Sequence, residues 1–317
     1  MAQVEQLSFR LGTAADLAAT FAISERTMKD IAERQGITPP ARDLTDADIR
    51  AQWMRQRSLI EFMAAQPDGR FVICEEAGEP LGYARVVRFG RMEELTELMV
   101  EPEQQGRGIG RALIERCWPE EPRADVGRLV VAAGAPLDLS LYTAFSVMPV
   151  AGHWHMRQTT SGYRERRSQE DSTEPAVHVM KPDRAVEEWQ RLEPEAVGHE
   201  RTRLHEFFGR DRTCLAYLDQ QSGQAAGLCW VSSDGDIGPA VGRRPADLAP
   251  VVLAALDRVA LTQEPEHLSV FCTTSSWWLL HRLRSLGFRV FWPSWVMCTE
   301  PLPGLNRYVP TRPAQIL

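Results

Sequence analysis

The segment Leu95–Ile114 constrains the fold of this 317-residue chain more than any other. An apolar strand pattern ends at Val100-Glu101-Pro102, and a glycine-rich loop and then an amphipathic helix pattern follow. This order leaves several backbone N–H groups at a helix N-terminus, where an anion can be bound. Glycine permits close approach of the main chain to a phosphate because it has no side chain. The segment therefore predicts a phosphate-bearing ligand.

Three kinds of glycine-rich loop bind phosphates and are compared with this one. A nucleoside-triphosphate loop needs Lys followed by Ser or Thr after the glycines, and neither pair is present. A dinucleotide loop needs Gly-x-Gly-x-x-Gly, but here the third glycine comes one residue too early. The remaining pattern is Gln/Arg-x-x-Gly-x-Gly/Ala after Val-x-Pro, and residues 105–110, Gln-Gly-Arg-Gly-Ile-Gly, match it. A glycine-rich turn without a ligand is the alternative.

In this loop and in the Val-x-Pro before it, the sequence resembles the GNAT superfamily of acyl-CoA-dependent N-acetyltransferases. The resemblance implies acetyl-CoA as the co-substrate, with no metal, and a loop that wraps the coenzyme A pyrophosphate. It also implies that Leu98, Met99 and Val100 bind the pantetheine arm through their backbone. The implied loop residues are Gln105, Gly106, Arg107, Gly108, Ile109, Gly110 and Arg111.

Two arginines flank the loop, at positions 107 and 111. Cations are unfavourable at a helix N-terminus, so their placement there favours phosphate binding, where they would add charge-assisted hydrogen bonds. Solvated arginines without a ligand are the alternative.

The strand before the loop has an irregular alternation. Leu95 and Glu97 share one face, whereas Leu98 and Val100 share another, so the period of two slips between Glu97 and Leu98. This slip predicts a β-bulge, which would splay the strand from its neighbour, Arg128–Ala132. In the resembled family, such a splay makes the slot for the pantetheine arm.

Composition excludes several classes of protein. With 44% hydrophobic and 25% charged residues the chain is typical of a globular protein, and its net charge of −7 disfavours a broad nucleic-acid surface. No apolar run is long enough to span a membrane, and the N-terminus lacks a signal-peptide pattern. The six cysteines form no Cys-x-x-Cys pair and no histidine cluster accompanies them. We therefore expect a cytoplasmic protein with no nucleic-acid, membrane or metal partner.

The order of predicted elements indicates a duplicated domain. An offset of 141 residues places Val100 on Val241 and Trp154 on Trp295 without a gap, with the same element order in both halves. The predicted organisation is a first domain at 1–160, a polar linker at 161–175 and a second domain at 176–317. With the resemblance, the expected fold class is α/β: two tandem GNAT-like domains, each a mostly antiparallel sheet flanked by helices, with a splayed central strand pair.

The second half lacks the loop. The positions that align with the three glycines are Asp247, Ala249 and Val251, and Pro250 has no N–H to offer. We therefore expect only the first half to bind coenzyme A. The roles left open for the second half are shaping the acceptor pocket, packing against the first half, or forming a homodimer surface.

Acyl transfer to an amine needs a proton acceptor for the amine and benefits from an acid near the leaving thiolate. Tyr142 is the candidate acid, because Leu141-Tyr142-x-x-x-Ser146 is similar to the family's Leu-Tyr-x-x-x-Gly. The sequence departs from the family at Ser146, which replaces the glycine, and at Pro136, which stands where asparagine is expected. A tyrosine that only packs under its helix is the alternative.

Carboxylates on the bulged strand are the candidate bases, with Glu97 first, then Glu94 and Glu93. Strand carboxylates exposed to solvent are the alternative. His153 and His155 alternate on a later strand and either could line the acceptor cleft, although a strand histidine is more often simply hydrogen-bonded.

The leading interpretation is an N-acetyltransferase that moves an acetyl group from acetyl-CoA to a primary amine of a small molecule by direct attack. A non-catalytic acyl-CoA-binding sensor or scaffold is the second interpretation. A protein lysine or N-terminal acetyltransferase is the third, and it would need an open groove.

Overall fold

The computed structural model describes residues 7–37, 44–119, 125–133, 136–170, 175–312 and 316–317. The chain divides into two compact units. Unit 1 consists of Met1–Val130 and Ala135–Ser146, and unit 2 consists of Val131–Gly134 and Val147–Leu317. In the part of the chain that is described, no helix is long and apolar enough to cross a membrane.

Unit 1 contains five strands in the order β1-β2-β3-β4-β5, flanked by helices. Neighbouring strands are antiparallel except β4 and β5, which are parallel. Its elements are β1 (Ser8–Leu11), α1 (Leu17–Arg34), α2 (Asp46–Ala64), β2 (Arg70–Glu76), β3 (Glu79–Phe89), β4 (Met92–Val100), α3 (Ile109–Cys117), β5 (Gly127–Ala132) and α4 (Pro136–Thr143).

Local sequence signals begin the helices of unit 1. Thr45 accepts a hydrogen bond from the Asp48 N–H at 3.2 Å while Asp48 accepts one from the Thr45 N–H at 3.1 Å, so a capping box starts α2. Phe21 on α1 is buried and its ring lies 5.6 Å from that of Trp53 on α2. The two helices thus pack through apolar positions spaced at the helical period.

The predicted bulge is present, one residue earlier than the alternation suggested. Arg85 pairs with Glu97 but Val86 pairs with Leu95, so Thr96 is the extra residue on β4. The parallel pairing of β4 with β5 runs only from Met92 to Leu95. Beyond that point, β4 has no described strand paired on its β5 side, which confirms the expected splay.

Unit 2 contains two sheets, with strand orders β12-β6-β11 and β13-β10-β9-β8-β7, and all pairs are antiparallel. A buried apolar cluster centres on α9 and α10. The elements are β6 (Met148–Thr159), α5 (Thr160–Ser168), β7 (Val177–Met180), α6 (Pro182–Leu192), α7 (Pro194–Val197), α8 (Thr202–Phe208), β8 (Thr213–Leu218), β9 (Ala225–Val231), β10 (Ile237–Gly242), α9 (Pro245–Thr262), β11 (His267–Thr273), α10 (Trp277–Ser285), β12 (Arg289–Cys298) and β13 (Tyr308–Val309).

The division of the chain differs from the predicted domains 1–160 and 176–317. Strand β6 belongs to unit 2, where it pairs with β11 and β12 and buries Met156 in the apolar cluster. Helix α5 occupies much of the predicted linker, and residues 171–174 of that linker lie outside the described residues. The helix buries Tyr163, whose hydroxyl donates to Asp257 at 2.6 Å. One buried aromatic residue thus anchors a segment that its polar composition marked as a linker.

Candidate active site

The glycine loop connects β4 to α3 through a short 3-10 turn at Pro102–Gln104. Gly106 and Gly108 both adopt left-handed backbone angles, with φ of +82° and +81°, and Gly108 is the N-cap of α3. A Cβ at either position would meet no atom within 4 Å. Glycine is therefore favoured here by the backbone conformation, and the space above the loop is open.

The backbone amides of residues 106–111 form the core of the site. None of these six N–H groups donates a hydrogen bond to an acceptor within the described ranges, and the first bond of α3 runs from the Ala112 N–H to the Gly108 carbonyl at 3.1 Å. Amides at a helix N-terminus carry partial positive charge and bind anions. The predicted loop thus presents a row of donors suited to a diphosphate.

Contacts with its neighbours hold the loop in this shape. The Gln105 side chain donates to the Val100 carbonyl at 3.2 Å and accepts from Arg34 of α1 at 3.1 Å. The Thr27 hydroxyl, also on α1, donates to the same Val100 carbonyl at 3.1 Å. Helix α1 therefore fixes the end of β4 and the start of the loop.

The two arginines of the loop have different surroundings. Arg107 forms an ion pair with Glu76 at 2.7 Å and also contacts Gln104. Arg111 is exposed in the first turn of α3, with its guanidinium 5.7 Å from the Phe145 ring centroid. Arg111 can therefore reach an anion directly, whereas Arg107 must first leave Glu76.

The predicted strand residues lie beside this loop. Val100 is buried, Leu98 and Met99 are half-buried, and all three follow the last residue paired with β5. A Cβ built on Gly110 would lie 3.7 Å from Leu141 of α4 and 4.0 Å from Leu98. The loop, the splayed strand and α4 therefore meet at one place in unit 1.

Tyr142 on α4 has a buried ring, and its hydroxyl makes no hydrogen bond with any described residue. Burial, together with the negative charge of Asp138 one turn earlier, raises the pKa of Tyr142 above its ordinary value. The phenol therefore stays protonated and can donate a hydrogen bond. Ser146, at the position of the family's glycine, has a φ of +63°, so the turn keeps the glycine-type conformation.

Glu97 is buried in an ion pair. One oxygen contacts the Arg85 guanidinium and the other accepts from the Tyr83 hydroxyl at 2.9 Å. Both oxygens of this carboxylate are therefore occupied by protein donors, and an incoming amine would have to compete with Arg85 or Tyr83 for them. Sequence alone did not indicate this pairing, because it joins two strands across the bulge.

The other strand carboxylates also have limited exposure. Glu94 is 2% exposed and lies opposite Val87 and Leu129 on the neighbouring strands. Glu93 lies 3.9 Å from the Arg128 guanidinium. Neither matches the alternative of a strand carboxylate in free solution.

Two carboxyl groups that the sequence analysis did not select have properties suited to proton transfer. Burial raises the pKa of Asp138 and the pKa of Glu25 on α1, and both side chains are half-buried. The signal for Asp138 was available, because it stands four residues before Tyr142 and so on the same face of α4. No sequence signal marked Glu25.

His153 and His155 lie on β6 in unit 2. The His153 Nδ1 is 2.7 Å from the Ser294 hydroxyl, and both imidazole rings pack on Phe271, with centroids at 4.5 and 4.9 Å. Burial lowers the pKa of each histidine to about 3. Both are therefore neutral at pH 7. Among the described residues, no group of three or more His, Cys, Asp or Glu could hold a metal ion.

Comparison with known proteins agrees with the loop and the fold. The model of an acetyltransferase (GNAT) domain matches residues 67–144, which include β2 through α4. Among proteins of curated function, none matches the sequence.

Three solved structures resemble the whole chain. A candidate acetyltransferase from Pyrococcus horikoshii has a TM-score of 0.68 at 16% identity, covering 95% of this chain and 92% of that one. A tandem GNAT protein from the clavulanic acid biosynthesis pathway has a TM-score of 0.59 at 17% identity, covering 93% and 99%. A GCN5-related N-acetyltransferase from Sphaerobacter thermophilus has a TM-score of 0.57 at 18% identity, covering 94% and 96%. At these identities the resemblance shows the fold.

Proposed function

We propose, from the premise that this chain is a tandem protein of the GNAT superfamily, that unit 1 transfers an acetyl group from acetyl-CoA to a primary amine of a small molecule. The observation that carries the proposal is the row of unbonded amides at residues 106–111, beside the unpaired side of β4. Acetyl-CoA is the co-substrate of the GNAT family, and its pyrophosphate and pantetheine amides suit these two features.

Each part of coenzyme A has a partner in this arrangement. The pyrophosphate accepts from the loop amides at the positive end of α3, and Arg111 adds a cation. The pantetheine arm bonds the backbone of Leu98–Val100 as a neighbouring strand would. The thioester then lies near Tyr142, because α4 packs against the start of α3.

The reaction is direct attack of a neutral amine on the thioester carbonyl. A C–N bond forms, the C–S bond breaks, the amine loses a proton, and the thiolate gains one. A thiol has a pKa of about 8.5, whereas the pKa of Tyr142 is raised above its ordinary value. Tyr142 therefore acts chiefly by hydrogen-bonding the thiolate, and water completes the protonation.

Proton removal from the amine is assigned to a carboxyl group of unit 1. Both carboxylate oxygens of Glu97, the first candidate from the sequence, are already engaged, one by Arg85 and the other by the Tyr83 hydroxyl. Asp138 lies one turn before Tyr142 on α4, and burial raises its pKa above the ordinary value, as burial also does for the pKa of Glu25. We therefore add these two to Glu97 and Glu94 as candidate proton acceptors.

One set of observations favours the second candidate, a non-catalytic acyl-CoA sensor. The binding loop is intact, whereas the departures from the family, Pro136 and Ser146, flank the candidate acid, and Glu97 is engaged. A protein that kept binding and lost chemistry would show this division.

The deciding experiment compares binding with turnover. Calorimetry with coenzyme A measures binding, and thiol release from acetyl-CoA with a panel of amines, including amino sugars, polyamines and a peptide N-terminus, measures transfer. We expect binding, an acetylated amine by mass spectrometry, and a Tyr142→Phe variant that binds normally but turns over at least tenfold more slowly. Binding with no product from any amine would favour the sensor, and no binding would contradict both.

A further inference from the structure

Unit 2 has a strand at the place where, within the described part of unit 1, the edge of β4 beyond Leu95 is unpaired. The two-residue strand β13 pairs antiparallel with β10, with Tyr308 opposite Val241 and Val309 opposite Ala240. With the 141-residue offset between the halves, Ala240 and Val241 correspond to Met99 and Val100. In unit 2, therefore, the backbone of β13 pairs with Ala240 and Val241. In the proposed function, the corresponding residues of unit 1 bond the pantetheine arm.

We propose that residues 305–312 occupy in unit 2 the position that the pantetheine arm takes in unit 1, so that the whole chain binds one acyl-CoA molecule. The inference rests on the proposed function, because that function identifies the slot in unit 1. The inference adds what fills the corresponding slot in unit 2, namely residues 305–312 of the same chain. These residues are called the tail segment below.

Side chains at the end of β11 hold the tail segment on its other side. The Thr273 hydroxyl donates to the Leu305 carbonyl at 2.7 Å, and the Ser276 hydroxyl contacts the carbonyls of Leu305 at 2.8 Å and Tyr308 at 3.2 Å. Both hydroxyl side chains are fully buried. The tail segment therefore lies between β10 and β11, which are the counterparts of the splayed pair β4 and β5.

Buried charge also anchors the tail segment. The Tyr308 hydroxyl contacts Arg201 and lies 3.2 Å from the Glu193 carboxylate, and all three side chains are buried. Nearer its end, the Arg312 carbonyl accepts from Arg212 at 2.9 Å. Displacing the tail segment would remove hydrogen-bond partners from the buried Arg201 and Glu193 side chains. A buried charge that loses its partners is strongly destabilising.

The anion site of unit 2 is closed independently. The Asp247 carboxylate accepts from the Arg244 N–H at 3.1 Å and pairs with its guanidinium at 2.8 Å, so α9 is capped by its own side chain. Asp247 is buried, and Pro245 at the first helical position has no N–H. The phosphate position and the pantetheine position are thus both filled by protein atoms.

Binding stoichiometry of the full chain with coenzyme A tests the proposal. We expect one site in the wild type, and Gly108→Asp should weaken that site at least 100-fold and reveal no other, because unit 2 contributes none. Two sites in the wild type, with one of them unchanged in Gly108→Asp, would overturn the inference while leaving acyl-CoA binding established. No binding in the wild type would contradict the proposed function instead.

Hydrogen exchange of the tail amides tests the same proposal without any ligand. In the wild type we expect the β13 segment, residues 308 and 309, to be protected from exchange by its pairing with β10, and coenzyme A to leave that protection unchanged. The double variant Thr273→Val/Ser276→Ala should speed their exchange at least tenfold, because each lost hydrogen bond contributes about 1 kcal/mol. Thr262→Val is the matched control, since that hydroxyl bonds only its own helix at the Arg258 carbonyl.

Two results would overturn the inference in this experiment. Exchange of the wild-type tail at the rate of an unstructured peptide would show that the slot is not filled. Faster exchange of the tail on addition of coenzyme A would show that the cofactor competes for the slot.

Discussion

Two helix starts, one in each unit, follow equivalent strands and have opposite properties. At α3, which begins after two left-handed glycines, six consecutive amides have no acceptor among the residues that the structure describes. At α9, the Asp247 carboxylate caps the helix and proline removes a donor. Satisfied helix ends stabilise a fold, whereas unsatisfied ones are retained where a ligand completes them. In the proposed function, unit 1 keeps these amides for a ligand, whereas the equivalent helix start of unit 2 is closed by its own side chain.

The strands before these helices show the same contrast. Strand β4 has no described partner on its β5 side after Leu95, while β10 pairs with β13 at Ala240 and Val241. An unpaired strand edge exposes backbone groups that a peptide-like ligand can bond. Duplicated elements can therefore diverge in function by changing what completes them, with little change in the elements themselves.

The largest effect is expected for Glu97→Gln, a substitution that tests whether Glu97 stabilises the fold or takes part in catalysis. Glu97→Gln leaves the buried Arg85 guanidinium without its counter-charge, so we expect the free energy of unfolding of unit 1 to fall by about 3 kcal/mol. Hydrogen exchange of the β3 and β4 amides measures it. Glu61→Gln, whose carboxylate forms an exposed ion pair with Arg57 at 2.7 Å on α2, should cost less than about 1 kcal/mol. Unchanged stability with turnover lost would instead make Glu97 the base.

The next effect concerns the open helix start. Gly108→Asp places a carboxylate among the amides that bind phosphate, so coenzyme A affinity should fall at least 100-fold, about 2.7 kcal/mol. Calorimetry measures the change. Gly223→Asp is the matched control, because that glycine also has a positive φ, of +68°, and open space around it. Normal binding by Gly108→Asp would show that the loop is not the phosphate site.

Histidine titration should change the stability of unit 2 and leave that of unit 1 unaffected, because all seven histidines lie in unit 2. Burial holds the pKa of His153 at about 3, against about 6.5 in an unfolded chain, so the unfolded state binds the proton first as pH falls. Stability is therefore lost below about pH 6.5, by about 2 kcal/mol at pH 5 for this one residue. Hydrogen exchange at pH 7 and pH 5 measures each unit.

The matched variant His153→Gln should reduce the loss of stability at pH 5 by about 2 kcal/mol, since it removes one titrating group, while the contribution of His155 remains. Unit 1 should lose no stability from histidine titration over the same range. A pH dependence of unit 2 that is the same with and without His153 would contradict the assignment of its low pKa.

The smallest effect sharpens the comparison of the helix starts. Asp247→Ala removes the cap of α9 and should cost about 1 kcal/mol, measured by exchange of the α9 amides. Asp183→Ala, an exposed first-turn carboxylate of α6, should cost only a few tenths of that. We expect no second coenzyme A site in Asp247→Ala, because the tail segment still fills the slot. A second site would mean that the cap alone had closed unit 2.

Local signals made part of this structure predictable. Helix α2, Asp46–Ala64, is of this kind, because its capping box and apolar period lie within the segment itself. The bulge was predicted within one residue, because a slip in a period of two is visible in sequence. The glycine loop was predicted for the same reason, since left-handed positions favour a recognisable residue.

Pairings between distant residues could not be predicted. The partners of Glu97 depend on the register of β3 against β4, which shifts at the bulge. No local sequence pattern specifies that register. Strand β6 showed a strand pattern, but nothing in it indicated that its partners are β11 and β12. Two-residue strands such as β13 are too short to give a periodic signal. The tail segment that we propose to fill the slot in unit 2 could therefore not be recognised from the sequence.

The placement of β6 in unit 2 has a consequence for whether the second repeat can be deleted. The first repeat of the sequence supplies twelve residues that complete a sheet of unit 2, and Met156 from that strand lies in its apolar cluster. A protein ending near residue 160 would carry a strand with no partner, and exposed unpaired strands promote aggregation. Deleting the second repeat would therefore be harmful even if it performed no chemistry, because a strand encoded by the first repeat depends on it for its partners.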